Sequence, residues 1–100
     1  MSLETATATL AKNTAEKDPL GTTLKFSFGD DGCAYLDGSG DKNEVSNSDG
    51  DSACTIKMSL ENFENMLAGD LNPMTAFMTG KIKVEGDMGV AMKLQSVLGG

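Results

Sequence analysis

Apolar and polar residues alternate with period two along residues 22–28, where Leu24, Phe26 and Phe28 share a face. They alternate again along 33–37, with Ala34 and Leu36 on one side and Cys33 and Tyr35 on the other. The polar run Gly29-Asp30-Asp31-Gly32 between them predicts a β-hairpin. A third strand is expected at 53–58, where Cys54, Ile56 and Met58 alternate with Thr55 and Lys57. A fourth is expected at Lys81-Ile82-Lys83-Val84-Glu85, charged against β-branched, with one wet face. A short edge strand is placed around residues 44–47.

Helical spacing takes over elsewhere. Leu3 and Leu10 lie seven apart in an Ala/Thr-rich helix over 3–16, whose threonines at 5, 7 and 9 lower its propensity. The run Asp18-Pro19-Leu20-Gly21 punctuates its end. Ser59 caps a helix through about residue 68, with Leu60, Phe63, Met66 and Leu67 as its apolar stripe and Gly69 after it. Asn72 caps a short helix opened by Pro73, where a missing N–H costs nothing, and Gly80 closes it. Asp87 caps a last helix from Met88 to about residue 98, bearing Met88, Val90, Ala91, Met92, Leu94, Val97 and Leu98. A helix apolar around most of its circumference must be covered on several sides, and a bound lipid can be one of them. Strands first and helices later predict a single α+β domain over 1–100, with helices on one face of a mainly antiparallel sheet of about five strands.

The run Asn72-Pro-Met-Thr-Ala-Phe-Met-Thr-Gly-Lys-Ile-Lys-Val-Glu-Gly-Asp-Met-Gly-Val-Ala-Met-Lys-Leu94 resembles the C-terminal signature of the sterol carrier protein family, the non-specific lipid-transfer domains. The similarity extends back through Ala53-Cys54-Thr55-Ile56-Lys57-Met58-Ser59 and, more loosely, to Leu24-Lys25-Phe26-Ser27-Phe28. The resemblance implies a mixed sheet with covering helices and an apolar tunnel between the two layers, holding a fatty-acyl chain, an acyl-CoA or a sterol-like molecule without chemistry. In such a tunnel the ligand is expected between Phe26, Phe28, Ile56, Met58, Ile82 and Val84 on the sheet and Phe63, Met66, Phe77, Met78, Met88 and Met92 on the helices. Gln95 is a candidate partner for the lipid's polar end, or part of a wet face with Lys93 and Ser96. The related domains often carry a bulky aromatic near Ala34, so the small residue there either enlarges the cavity or is met by a neighbour.

Charge sharpens the picture when it is mapped. The formal net charge is −7, and six aspartates and Glu44 against Lys42 place −6 of it within residues 30–51. An acidic chain with no arginine is a poor nucleic-acid binder and lacks the bidentate clamp for phosphates. No apolar run approaches the length of a membrane span, and the start lacks the pattern of a signal peptide, so the cytoplasm is the expected compartment. Cys33 and Cys54 are expected to be unpaired there, Cys54 as a small buried hydrophobe.

Catalytic and metal chemistry find little support. Histidine, the usual base at neutral pH and the commonest metal ligand, is absent. The acidic loop over 38–52 shows alternating oxygen ligands twice, but Lys42 and Ser48 stand where a calcium loop starting at Asp37 needs Gly and Glu. The second register fails at Ser52 and Met58, leaving a solvated loop. The paired acids Asp30/Asp31 and Asp49/Asp51 lie in Gly-rich loops with no apolar wall to raise a pKa. No cofactor or metal site is expected, and the chain does not read as an enzyme.

Met1 aside, the methionines Met58, Met66, Met74, Met78, Met88 and Met92 fall within 35 residues. From pattern alone such a cluster is core filling; a flexible, polarizable surface for ligands of varied shape is what the resemblance implies. Two other readings stay open: an accessory subunit presenting an acyl substrate to a partner enzyme of lipid metabolism, and an apolar homodimer interface without a ligand. Monomer and weak homodimer both fit the sequence.

Overall fold

A computed structural model describes residues 2–15 and 17–93. Helix α1 (Leu3–Thr14) is followed by strands β1 (Thr23–Ser27), β2 (Cys33–Asp37), β3 (Glu44–Ser46) and β4 (Cys54–Lys57). Helices α2 (Leu60–Leu67) and α3 (Pro73–Met78), strand β5 (Lys83–Gly86) and helix α4 (Met88–Ala91) complete the described chain. The expected elements are all present, with ends shifted by a residue or two. The exception is the last helix: its described part stops at Ala91 with a turn through Lys93, and Leu94, Gln95, Ser96, Val97 and Leu98 lie outside the described residues.

The five strands form one sheet in the order β3-β2-β1-β4-β5. Three neighbouring pairs are antiparallel, and β1 with β4 is parallel, which makes the sheet mixed. Register aligns the apolar residues into two cross-sheet rows: Val45, Leu36, Leu24 and Cys54, then Ala34, Phe26, Ile56 and Val84. The helices cover this face, with α1 against β2 and β3 and α4 against β4 and β5. Helix α2 packs on α1 and sets Phe63 against the rings of Phe26 and Phe28, at centroid distances of 4.8 and 4.9 Å. Ala34 is fully buried directly opposite Phe26, so aromatic packing meets its missing bulk.

The opposite face carries Tyr35, Lys25, Thr55 and Glu85 in register, and the acidic loop is folded across it. Reaching β4 from β3 requires the chain to pass over β2 and β1, and residues 47–53 do so as a strap. Asn47 Nδ2 donates to Cys33 O at 2.9 Å, Lys25 Nζ to Asp49 Oδ1 at 3.0 Å, and Ala53 N to Thr23 Oγ1 at 2.8 Å. The loop expected to be simply solvated is thus pinned at several points, although its own side chains stay largely exposed.

A second set of polar contacts fixes α1 to the sheet. Asn43 Oδ1 accepts from Leu20 N at 2.9 Å, while its Nδ2 donates to Thr14 O and Asp18 O at 3.2 and 3.1 Å. Gly38 makes this approach feasible, because a Cβ there would sit 2.5 Å from Leu20. No helix among the described residues is long and apolar enough to cross a membrane.

Candidate functional site

Three local signals build the site. Asn72 Oδ1 accepts from Met74 N at 2.8 Å, so α3 starts at Pro73 as a capped turn of helix. Gly80, at φ 77°, then reverses the chain into β5. Asp87 Oδ1 accepts from Gly89 N at 2.8 Å and starts α4 immediately after β5. Gly86 makes this last turn possible: its φ is 98°, and a Cβ would lie 2.5 Å from Ala53 O. Helices α3 and α4 therefore sit close together beside the β5 edge of the sheet.

Between these elements lies a groove of about 210 Å³, lined by Pro73, Met74, Phe77, Ile82, Val84, Met88, Ala91 and Met92. Every lining residue is apolar. Its floor is buried, with Ile82 only 3% exposed, while its walls face solvent. Met74, Phe77, Met88 and Met92 are 56%, 44%, 49% and 75% exposed. The apolar space formed by the described residues is thus an open groove.

The structure brings Phe77, Ile82, Val84, Met88 and Met92 together at this groove. Phe26, Phe28, Ile56, Met58, Phe63 and Met66 lie in the packed core between the sheet and the helices, all at most 8% exposed. Met78 is 80% exposed and is not among the lining residues, and Gln95 lies outside the described residues. Pro73 and Ala91 line the groove without having been named as ligand contacts from the sequence, and Met74 was named only as a member of the methionine cluster. Their signal was helical spacing: Pro73 and Met74 precede Phe77 by four and three, and Ala91 follows Met88 by three.

None of the eight residues lining the groove carries a titratable or nucleophilic side chain. Cys33 and Cys54 are both free and buried. Burial pushes the thiol pKa of each upward, and a neighbouring carboxylate adds to it, Asp49 for Cys33 and Asp87 for Cys54. A thiol held protonated is a poor nucleophile. No group of acids and cysteines among the described residues is arranged to hold a metal ion.

Comparison with known proteins gives this geometry a family. The family model described as the SCP-2 sterol transfer family matches residues 3–99. The chain belongs to this family. Its relatives include hydroxysteroid dehydrogenase-like protein 2 of Xenopus laevis, 40% identical over 67 residues, which are 65% of this chain and 16% of that protein. Human sterol carrier protein 2 is 47% identical over 51 residues, 51% of this chain and 9% of that protein. The chain therefore spans a small part of these relatives' length. Among solved structures, the apo sterol carrier protein 2 of Yarrowia lipolytica superposes with a TM-score of 0.69 at 24% identity, covering 94% of this chain and 77% of that one. A palmitated SCP2L2 from Aedes aegypti superposes with a TM-score of 0.74 at 22% identity, covering all of this chain and 96% of that one. At such identities the structural likeness speaks for the fold, which is that of an α+β sterol carrier domain.

Proposed function

We propose that this protein is a non-catalytic lipid carrier that takes up a fatty-acyl chain, free or as part of an acyl-CoA, or a sterol-like molecule, in the α3–β5–α4 groove. The observation that carries the reading is an all-apolar, solvent-open groove built from eight residues. Its volume exceeds the roughly 150 Å³ of an engineered apolar cavity that accepts benzene, and falls below the 300–1,000 Å³ or so of most small-molecule sites. The groove thus grips part of a long ligand. Folding Met74, Phe77 and Met92 over that ligand would turn the groove into a tunnel.

Apolar burial is the driving force, about 0.8 kcal/mol for each methylene removed from water, less the cost of ordering ligand and side chains. Such a force has no direction, and three methionines in the wall adapt to several shapes, so selectivity is broad and set by length and bulk. The palmitated relative of the same fold supports an acyl ligand. Two buried free thiols suit a reducing compartment, and the cytoplasm is the proposed place of action.

One observation favours a second reading. The dehydrogenase-like relative is several times longer than the segment matched here, which fits a domain that presents its lipid to an enzyme.

The test is uptake of a fluorescent fatty acid by delipidated protein. Met92→Glu and Phe77→Asp each place an unpaired charge in the groove and are expected to abolish uptake while the fold persists, since both positions are solvent-exposed without ligand. Undiminished uptake by both variants would remove the groove from the account.

A further inference from the structure

Strand β5 is an open edge of the sheet: β4 lies on one side, and no described strand lies on the other. Asp87 N donates to Ala53 O at 2.9 Å, and the same register pairs Glu85 with Thr55 and Lys83 with Lys57. Bonded residues alternate along an antiparallel ladder, so Lys83, Glu85 and Asp87 turn their backbone groups toward β4. Val84 and Gly86 therefore turn theirs outward, and neither N–H has a partner among the described residues. Unpaired groups of this kind form a template for a further strand.

Its charges select the strand that fits. Lys83 and Glu85 share the sheet face opposite the groove and flank Val84, and Lys81 and Asp87 stand one alternate position further out. Reversing the strand about Val84 therefore exchanges each base for an acid. An antiparallel second copy centred on Val84 sets Lys83 against its Glu85 and Lys81 against its Asp87, and symmetry makes each pair occur twice. Opposite charges directly across antiparallel strands stabilise the pairing, and like charges destabilise it. Lys81 and Lys83 meet no carboxylate among the described residues. Glu85 meets Lys57 at 3.1 Å through Oε2, with both side chains more than half exposed, so Oε1 is open to a second ammonium. The α4 cap uses only Oδ1 of Asp87. The opposite edge differs: β3 lies in the segment that carries −6 and packs against α1, so like charge opposes a second copy there.

We propose that β5 pairs antiparallel with β5 of a second copy about a two-fold axis at Val84, giving a homodimer whose sheet runs through both chains. At the axis the two Val84 residues exchange both N–H···O bonds. The Lys83–Glu85 pairs close on the face opposite the helices. On the helix face, Met74, Phe77 and Met88, which α3 and α4 expose beside this edge, come toward their counterparts and add apolar burial. A two-stranded pairing is marginal in water without such burial. The interface follows from the edge alone and stands whether or not the groove holds lipid.

The experiment is sedimentation velocity of delipidated protein from low micromolar to millimolar concentration, with Lys83→Glu and Glu85→Lys run alone and then mixed. Wild type is expected to pass from monomer to dimer across this range. Each variant alone sets like charges against each other twice and should weaken the dimer about tenfold or more. In the equimolar mixture every substituted side chain meets an opposite charge again, so a heterodimer should form as readily as the wild-type dimer. Both positions are exposed, and an unchanged far-UV circular dichroism spectrum checks the fold of each variant. Hydrogen exchange of wild type gives a readout free of substitutions: the Val84 amide should be protected in concentrated protein and open in dilute protein. Wild type that stays monomeric at millimolar concentration overturns the proposal. So does a dimer that survives in both variants, a mixture that stays monomeric where wild type dimerises, or a Val84 amide that exchanges at one rate throughout.

Discussion

Truncating Phe63 separates a packed aromatic core from a ligand wall. Phe63 is fully buried, and its ring meets Phe26 at 4.8 Å and Phe28 at 4.9 Å, each at an interplanar angle of 43°. Phe63→Ala removes both ring contacts and leaves a cavity in the layer between α2 and the sheet. Buried Phe→Ala changes cost about 3–5 kcal/mol, and the tilted ring pairs place this one toward the upper half of that range. Total stability for a domain of this kind is about 5–15 kcal/mol, so the variant keeps its fold with little to spare. With a urea m value of about 2 kcal/mol per molar, a 4 kcal/mol loss lowers the unfolding midpoint by roughly 2 M. Far-UV circular dichroism of delipidated protein in urea reads this directly. Phe77→Ala is the control: its ring is 44% exposed, so stability should change by less than about 1 kcal/mol while fatty-acid uptake weakens. The reasoning fails if Phe63→Ala unfolds at nearly the wild-type urea concentration yet loses uptake, because its ring then belongs to the ligand site.

Further outcomes concern the strap and the scaffold. Asp49→Asn breaks the Lys25–Asp49 pair at 3.0 Å, costs at most about 1 kcal/mol in thermal denaturation and leaves uptake unchanged; weakened uptake would move the site to the strap face. The hydrogen bond to Asp49 is the main cause that raises the Lys25 pKa above the usual 10.5. The stabilisation it brings is fully present below the unfolded pKa and is lost as pH rises through the higher folded value. The melting difference between wild type and Asp49→Asn should therefore persist at neutral pH and close in strong alkali; a difference that widens there contradicts the pairing. Asn43→Ala removes the partner of Leu20 N and Asp18 O, while Thr14 O keeps its bond from Lys17 N, and should cost about 1–3 kcal/mol in urea unfolding, whereas a negligible loss would mean the Asn43 contacts contribute nothing. Gly86→Ala forces a side chain onto a φ of 98° and against Ala53 O, and should cost about 1–3 kcal/mol or more; wild-type stability would show that the β5–α4 turn is not so constrained.

Local chemistry made most elements legible in the sequence. Ser59, Asn72 and Asp87 cap the helices they were expected to cap, and Gly69 and Gly80 follow helices with φ of 84° and 77°. The alternation in β1, β2 and β4 placed Leu24, Phe26, Ala34, Leu36, Cys54 and Ile56 on one buried face. Strand order was not legible. The parallel pairing of β1 with β4 depends on the strap crossing the sheet, which Lys25, Tyr35 and Cys33 arrange through contacts 14 to 25 residues away in sequence. Nor could periodicity divide the methionines. Met58 and Met66 are 8% and 3% exposed, whereas Met74, Met78, Met88 and Met92 range from 49% to 80%. All six sit on apolar stripes. The division comes from what covers each stripe: α2 lies on α1 and the β1 aromatics, while the outer sides of the short helices α3 and α4 have no covering element among the described residues.

The most direct test of the carrier account is native mass spectrometry of freshly purified protein, followed by solvent extraction of whatever it holds. The account predicts a mixed population of acyl lipids or similar amphiphiles at near one per chain, absent from Met92→Glu protein prepared in parallel. A single ligand-free mass that stays unchanged after incubation with palmitate or a sterol would contradict it, leaving the family's fold without the family's cargo.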